Sequence, residues 1–187
     1  MCVKMLDSAR ELTFDGSNPW TSTDWAITRR LFSPVAAGCS LAMASSEAYE
    51  DSEFNLAAQG LRQPGSAFKP FVLTAAVNQG MDPDATYYSA PSSITLYTEY
   101  GEAWSVSGGG GGTMSLRDAT ANSVNTVVAQ FAYAVNPENF TEMAKKMGIE
   151  TKLGGYLAEA LGGLTHGVST LEMSNAYATL ANGGVHH

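Results

Sequence analysis

The chain has 187 residues, 44% of them hydrophobic and 15% charged, an ordinary globular composition with enough length for one domain with a sizeable core. A formal net charge of −8 argues against nucleic acid or an anionic membrane surface as a partner. No apolar run is long enough to span a bilayer, and residues 1–20 carry neither the basic start nor the apolar core of a signal peptide, so the expectation is a soluble piece with no membrane segment. Two cysteines, Cys2 and Cys39, can pair or stay free, and they do not place the compartment.

Residues 1–34 hold turn signals at Asp15-Gly16 and Asn18-Pro19 and two large apolar groups, Trp20 and Trp25, but nothing that looks like a site. They are read as an N-terminal segment of unclear role. Leu41-Ala42-Met43-Ala44 reads as a short buried strand, with Ser45, Ser46, Glu50, Asp51 and Ser52 as the polar loop out of it.

The stretch Arg62-Gln63-Pro64-Gly65-Ser66-Ala67-Phe68-Lys69-Pro70 organises the rest of the chain. Pro64 and Gly65 break the preceding structure, and Phe68, Phe71, Val72, Leu73, Ala75 and Ala76 predict a buried helix ending near Gly80. Ser66 therefore sits where a turn enters a helix, beside unpaired backbone N–H groups and the positive end of the helix dipole, a setting that favours an alkoxide or a developing oxyanion. Lys69, three residues on, lies on the same face. A hydroxyl needs a base to become a nucleophile near neutral pH, and a desolvated lysine can serve, so the pair suffices for acyl transfer. The plain alternative is a helix N-cap serine followed by a solvated lysine. Pro70 lacks an N–H and biases Lys69 away from helical angles, so either the regular helix starts later or its first turn is distorted.

Met81 to Ser93 reads as a loop, with short strands at Ile94 to Tyr97 and around Trp104 and Val106. Gly108 to Gly112 leads into Thr113-Met114 rather than the Lys-Ser/Thr a phosphate loop needs, and is read as a flexible connector or a loop of the fold. Ser115-Leu116-Arg117-Asp118 starts a helix that is interrupted at Ala121 to Asn125 and resumes through Val127, Val128, Phe131 and Ala132. Asn136-Pro137-Glu138 opens another, with Phe140, Met143, Ala144 and Met147 as its buried stripe. A short helix around Leu157 to Leu161 comes next, and Ser169-Thr170-Leu171-Glu172 is a capping box for a last helix whose apolar face is Met173, Ala176, Tyr177 and Leu180.

Ser123-x-Asn125 is the second constellation with chemistry in it. A hydroxyl facing Ser66 and Lys69 can relay a proton to a leaving amine, and an amide beside it can hold a substrate peptide. The plain alternative is a helix-initiating Ser/Asn cluster. His166 reads as a loop residue, and the acidic pairs Glu50/Asp51 and Asp82/Asp84 as solvated loop charges. With no clustering at ligand spacing, neither a metal site nor a cofactor is expected.

Residues 54–71 closely resemble the nucleophile region of class A penicillin-binding proteins, the serine D,D-transpeptidases of cell-wall synthesis, and Met114 to Thr126 resembles the second motif of that family with its lead-in. The resemblance runs from about residue 35 to the C-terminus. It implies an α+β transpeptidase fold of the penicillin-binding-protein and β-lactamase kind, here mainly the helical half with an incomplete antiparallel sheet, over 35–187. The family's opening strand carries Asp-Pro and Thr-Gly, where this chain has Ser33-Pro34 and Ala37-Gly38. Its third motif, a Lys-Thr-Gly or Lys-Ser-Gly strand after Ala181-Asn182-Gly183-Gly184, is absent, so the expectation is a C-terminally truncated domain, without the glycosyltransferase domain of class A proteins. Lys146-Met147-Gly148 reads instead as a helix end.

By the resemblance, Ser66 is the nucleophile, Lys69 the acylation base, Ser123 a proton shuttle and Asn125 a substrate contact. The implied partners are the D-Ala-D-Ala end of a peptidoglycan stem peptide and β-lactam antibiotics, and the implied location is the cell envelope outside the cytoplasm. Two rivals stand beside this reading. One is a catalytically incompetent fragment, and the other a related carboxypeptidase or β-lactamase, although no Glu-x-x-x-Asn loop accompanies Glu138 or Glu172.

Overall fold

The structure, a computed structural model, describes residues 54–98 and 101–186. The expected strand at 41–44, the segment 1–34 and both cysteines lie outside the described residues. In chain order the elements are α1 (Leu56–Gln59), a 3₁₀ turn (Gly65–Phe68), α2 (Lys69–Asn78), β1 (Tyr87–Ser89), β2 (Ser93–Tyr97), β3 (Ala103–Ser107), β4 (Thr113–Ser115), α3 (Leu116–Ala121), α4 (Asn125–Val135), α5 (Pro137–Met147), a second 3₁₀ turn (Leu157–Leu161) and α6 (Thr170–Ala181). They fall into two units. The larger comprises Arg62–Lys146 and Glu150–Val168, and the smaller holds 54–61, Met147–Ile149 and 169–186.

Helix α4 is the centre of the larger unit. Val127, Val128, Ala129, Phe131 and Ala132 are all fully buried, because α2, α3 and the second 3₁₀ turn each pack against it. Helix α2 contributes Phe71, Val72, Ala75 and Ala76, and the Phe68 and Phe71 rings meet edge to face with centroids 4.9 Å apart. Helix α3 is capped by Ser115, whose hydroxyl accepts the Asp118 N–H, and Asn136 caps α5 by accepting the Glu138 N–H. The α5 stripe buries Phe140 and Ala144 as its spacing predicts.

Two antiparallel pairs complete this unit. In β2 and β3, Ile94 faces Val106 and Leu96 faces Trp104, while on the other face the hydroxyls of Thr95 and Ser105 meet at 3.0 Å. In β1 and β4, Tyr88 pairs with Met114. Residues 87–89 are thus a strand, not the loop expected from sequence. A three-residue strand shows too little alternation to be seen, and its partner lies far along the chain. The glycine run is not a loose connector either. Gly108 N–H donates to Ser92 O at 3.1 Å and Gly111 N–H to Ala90 O at 2.7 Å. Gly109 lies so close to the Pro91 carbonyl that a Cβ there would collide with it.

Glu159, in the second 3₁₀ turn, is fully buried. Its Oε1 accepts the Gly154 N–H at 2.7 Å and its Oε2 the Gly155 N–H at 3.0 Å, so one side chain satisfies two loop donors. Glu159→Gln puts an amide NH₂ against one of those donors. The expected loss is about 1–3 kcal/mol of stability, read from urea unfolding.

In the smaller unit α1 packs against α6. Asn55 Oδ1 accepts from the Ala57 and Ala58 N–H groups, and the Ser169/Glu172 capping box is complete, with bonds of 2.8 and 3.1 Å. The buried positions of α6 are Ala176 and Thr179, whose hydroxyl donates to Met147 O at 2.9 Å. Leu180, expected on the apolar face, is 39% exposed. The inward turn of Thr179 sets the helix rotation that leaves it outside.

Candidate active site

Ser66 lies inside the first 3₁₀ turn rather than at its cap. The N-cap of that turn is Pro64 and that of α2 is Phe68, neither with a side-chain hydrogen bond. The Ser66 side chain is exposed, and its hydroxyl makes no hydrogen bond among the described residues. The plain reading of a capping serine therefore fails. Gly65, at φ +54°, supplies the left-handed step that brings the chain into the turn.

Lys69 adopts helical angles of φ −57° and ψ −36° in spite of Pro70. The expected conflict is resolved by a tighter first turn: Lys69 N–H donates back to the Ser66 carbonyl, and the regular helix begins only at Lys69, so the missing Pro70 N–H falls at a position with no obligatory helical bond. Lys69 is 1% exposed, which overturns the solvated-lysine alternative. Its Nζ donates to Ser123 O at 2.7 Å, Ser123 Oγ at 2.8 Å and Asn125 Oδ1 at 2.6 Å. Three acceptors for three protons describe the ammonium form, while burial pulls the lysine pKa below its ordinary value. Losing a proton from Lys69 therefore costs less than it does for a lysine in water.

Ser123 sits in the break between α3 and α4 at φ +57°, one of two non-glycine residues with positive φ among the described residues. The left-handed step lets both its carbonyl and its hydroxyl reach Lys69. Val124, not Ser123, is the N-cap of α4, and it caps without a side chain, so neither side chain of the Ser/Asn pair caps the helix that Asn125 begins. Asn125 uses both ends of its amide, with Oδ1 on Lys69 and Nδ2 donating to Ser107 O at 3.2 Å at the end of β3. A substrate carbonyl must compete with Ser107 for Nδ2. Ser107 is not visible as a site residue in the sequence, because a backbone carbonyl carries no signal there.

A left-handed non-glycine residue costs roughly 1–2 kcal/mol, which separates two variants of Ser123. Ser123→Ala and Ser123→Gly both lose the hydroxyl, but only the second relieves the backbone. Chemical unfolding is expected to find the glycine variant the more stable by about 1 kcal/mol.

The four residues predicted from sequence thus stand within the larger unit, three of them in one hydrogen-bonded cluster and Ser66 one helical turn from Lys69. Lys146, the one lysine of the near match to a third motif, is exposed at the end of α5 and pairs with Glu142 at 2.7 Å, as a helix-end lysine does. Among the described residues no three His, Cys, Asp or Glu side chains group as metal ligands.

An α+β fold with a lysine buried between the turn of a Ser-x-x-Lys motif and a Ser-x-Asn break defines a class of serine acyl-transfer domain. The penicillin binding protein transpeptidase domain matches residues 35–187, and the chain belongs to that family. It is 33% identical over 140 residues to penicillin-binding protein 1A of Neisseria cinerea, an alignment covering 73% of this chain and 17% of that protein. The crystal structure of penicillin-binding protein 1A from Haemophilus influenzae superposes with a TM-score of 0.62 at 27% identity, over 71% of this chain and 20% of the other. Penicillin-binding protein A from M. tuberculosis, solved as a penicillin G acyl-enzyme complex, shares the fold with a TM-score of 0.62 at 23% identity, over 71% of this chain and 35% of that one. The chain thus spans about a fifth of the length of its penicillin-binding protein 1A relatives.

Proposed function

We propose that Ser66 is the acyl-accepting nucleophile of a D,D-transpeptidase site, and that the chain captures β-lactams and the D-Ala-D-Ala end of peptidoglycan stem peptides as esters of Ser66. The observation that carries this reading is the burial of Lys69 against Ser123 and Asn125, one turn from an exposed, unbonded Ser66 hydroxyl. Lys69, once neutral, takes the Ser66 Oγ proton as the Oγ–carbon bond forms. The Ser66 amide lies in a first turn, where N–H groups have no intrahelical partner, and it can donate to the developing oxyanion. Ser123 Oγ touches Lys69 Nζ and passes the proton to the leaving amine as the carbon–nitrogen bond breaks. Asn125 Nδ2, exchanging Ser107 for substrate, holds the acyl donor.

With a β-lactam the broken bond is the ring amide, and its nitrogen stays tethered, so the ester persists. Membership of the family supports a location in the cell envelope, outside the cytoplasmic membrane. No described helix is long and apolar enough to cross a membrane. Fluorescent penicillin tests the function. The expected result is a label that survives denaturation and is blocked by prior unlabelled penicillin, whereas a folded chain that takes up no label contradicts the proposal.

A further inference from the structure

The turn that presents Ser66 has its own backbone bonds, Ala67 N–H to Pro64 O at 3.2 Å and Lys69 N–H to Ser66 O. Pro64 has no N–H, and Gly65 imposes no side chain. A segment about a hundred residues away, just after the second 3₁₀ turn, adds contacts of its own. Arg62 and Val168 exchange backbone hydrogen bonds of 3.0 and 2.9 Å in an isolated bridge. The Gln63 amide grips the Leu164 backbone with both ends, Nε2 donating to Leu164 O at 2.6 Å and Oε1 accepting the Leu164 N–H at 2.7 Å. Gly162 lies against the backbone of Gly65 so closely that a Cβ on it would collide with Gly65 N, Cα and O.

We propose that residues 162–168 form a brace that sets the position of the Ser66 turn, with Gly162 and Gln63 as its positioning residues. The brace acts through Gly162 against Gly65 and Leu164 against Gln63, and touches no reacting atom. Its consequence for rate rests on the reading of Ser66 as the nucleophile; its consequence for the turn does not. A displacement of the order of 1 Å at a reacting group costs about a hundredfold in rate, and a methyl group forced between Gly162 and Gly65 has to be accommodated by movement of that order.

The structure supplies its own control. Gly162 has φ +80° and Gly155 has φ +77°, so alanine brings similar backbone strain at either, but a Cβ on Gly155 meets nothing within 4 Å. The test compares Gly162→Ala, Gly155→Ala and the milder, exposed Gln63→Met in the full chain. Amide resonances of residues 65–67 and the rate of penicillin capture are read in each. Gly162→Ala is expected to shift those resonances and slow capture at least tenfold, and Gln63→Met to shift them with a smaller loss. Gly155→Ala leaves the resonances unmoved and the rate within twofold. Should Gly162→Ala not fold, Gln63→Met carries the test. Resonances at 65–67 that move no more in Gly162→Ala or Gln63→Met than in Gly155→Ala overturn the brace. Resonances that move as expected in a parent that captures no penicillin uphold the brace and overturn the assignment of Ser66 as nucleophile.

Discussion

Ser66→Ala is expected to abolish covalent capture of penicillin while leaving stability within about 0.5 kcal/mol of the parent, as for most exposed substitutions. The second half of that expectation rests on the same geometry as the first. The Ser66 side chain is exposed and its hydroxyl makes no hydrogen bond among the described residues, so removing it orphans no group and opens no cavity. A serine kept for structure as a helix cap would behave oppositely, costing about 1 kcal/mol on replacement by alanine. Thermal unfolding of the two proteins beside a gel of fluorescent penicillin separates the roles. Capture lost together with a large fall in unfolding temperature would point to a structural serine.

Lys69→Met is expected to reduce both quantities. Losing a general base costs about 10²- to 10⁴-fold in rate. Methionine also leaves Ser123 O, Ser123 Oγ and Asn125 Oδ1 without the donor they share. The expected loss of stability is about 1–3 kcal/mol, toward the lower end because Ser123 is exposed and water can replace part of it. The pH dependence carries a distinct signature. Burial depresses the pKa of folded Lys69, whereas the unfolded chain holds that proton up to about 10.4. Between the two values the unfolded state binds more protons, so stability contributed at this position rises with pH; below the folded value the burial penalty is present in full. Capture by the parent should rise over the same ionisation, with a midpoint below that of an ordinary lysine. Stopped-flow acylation from about pH 6 to about pH 10, spanning the range below an ordinary lysine, measures it, and a flat profile would remove Lys69 as the base.

The site was legible in the sequence to the extent that it is local. Ser66 and Lys69 are separated by one turn, and the break at Ser123 is visible because Ala121 to Asn125 interrupts two helical patterns. Their chemistry could be read from residue type and spacing. Which alternative held was not legible there. Whether Lys69 is solvated or buried depends on α4 packing against α2, and whether Ser123 caps a helix depends on a left-handed backbone step that serine does not advertise. The helices α2 to α6 are visible because their apolar positions recur at helical spacing. The pair β1 and β4 is hidden because three residues show too little alternation. The packed state of the glycine run and the grip of Gln63 on Leu164 are hidden for another reason: each depends on a backbone brought close by the fold, 101 residues away in the second case. Leu180 lies outside its expected face because Thr179 satisfies the Met147 carbonyl and thereby takes the inner position.

In the proposed reaction one hydroxyl of this chain, the one on Ser66, becomes an ester. Peptide-level mass spectrometry of the penicillin-treated protein tests it most directly. The expected result is a penicilloyl mass increment on the peptide that contains Ser66, assigned by fragmentation to that residue, with Ser123 unmodified. An increment on any other residue, or none on a chain shown to be folded, would contradict it.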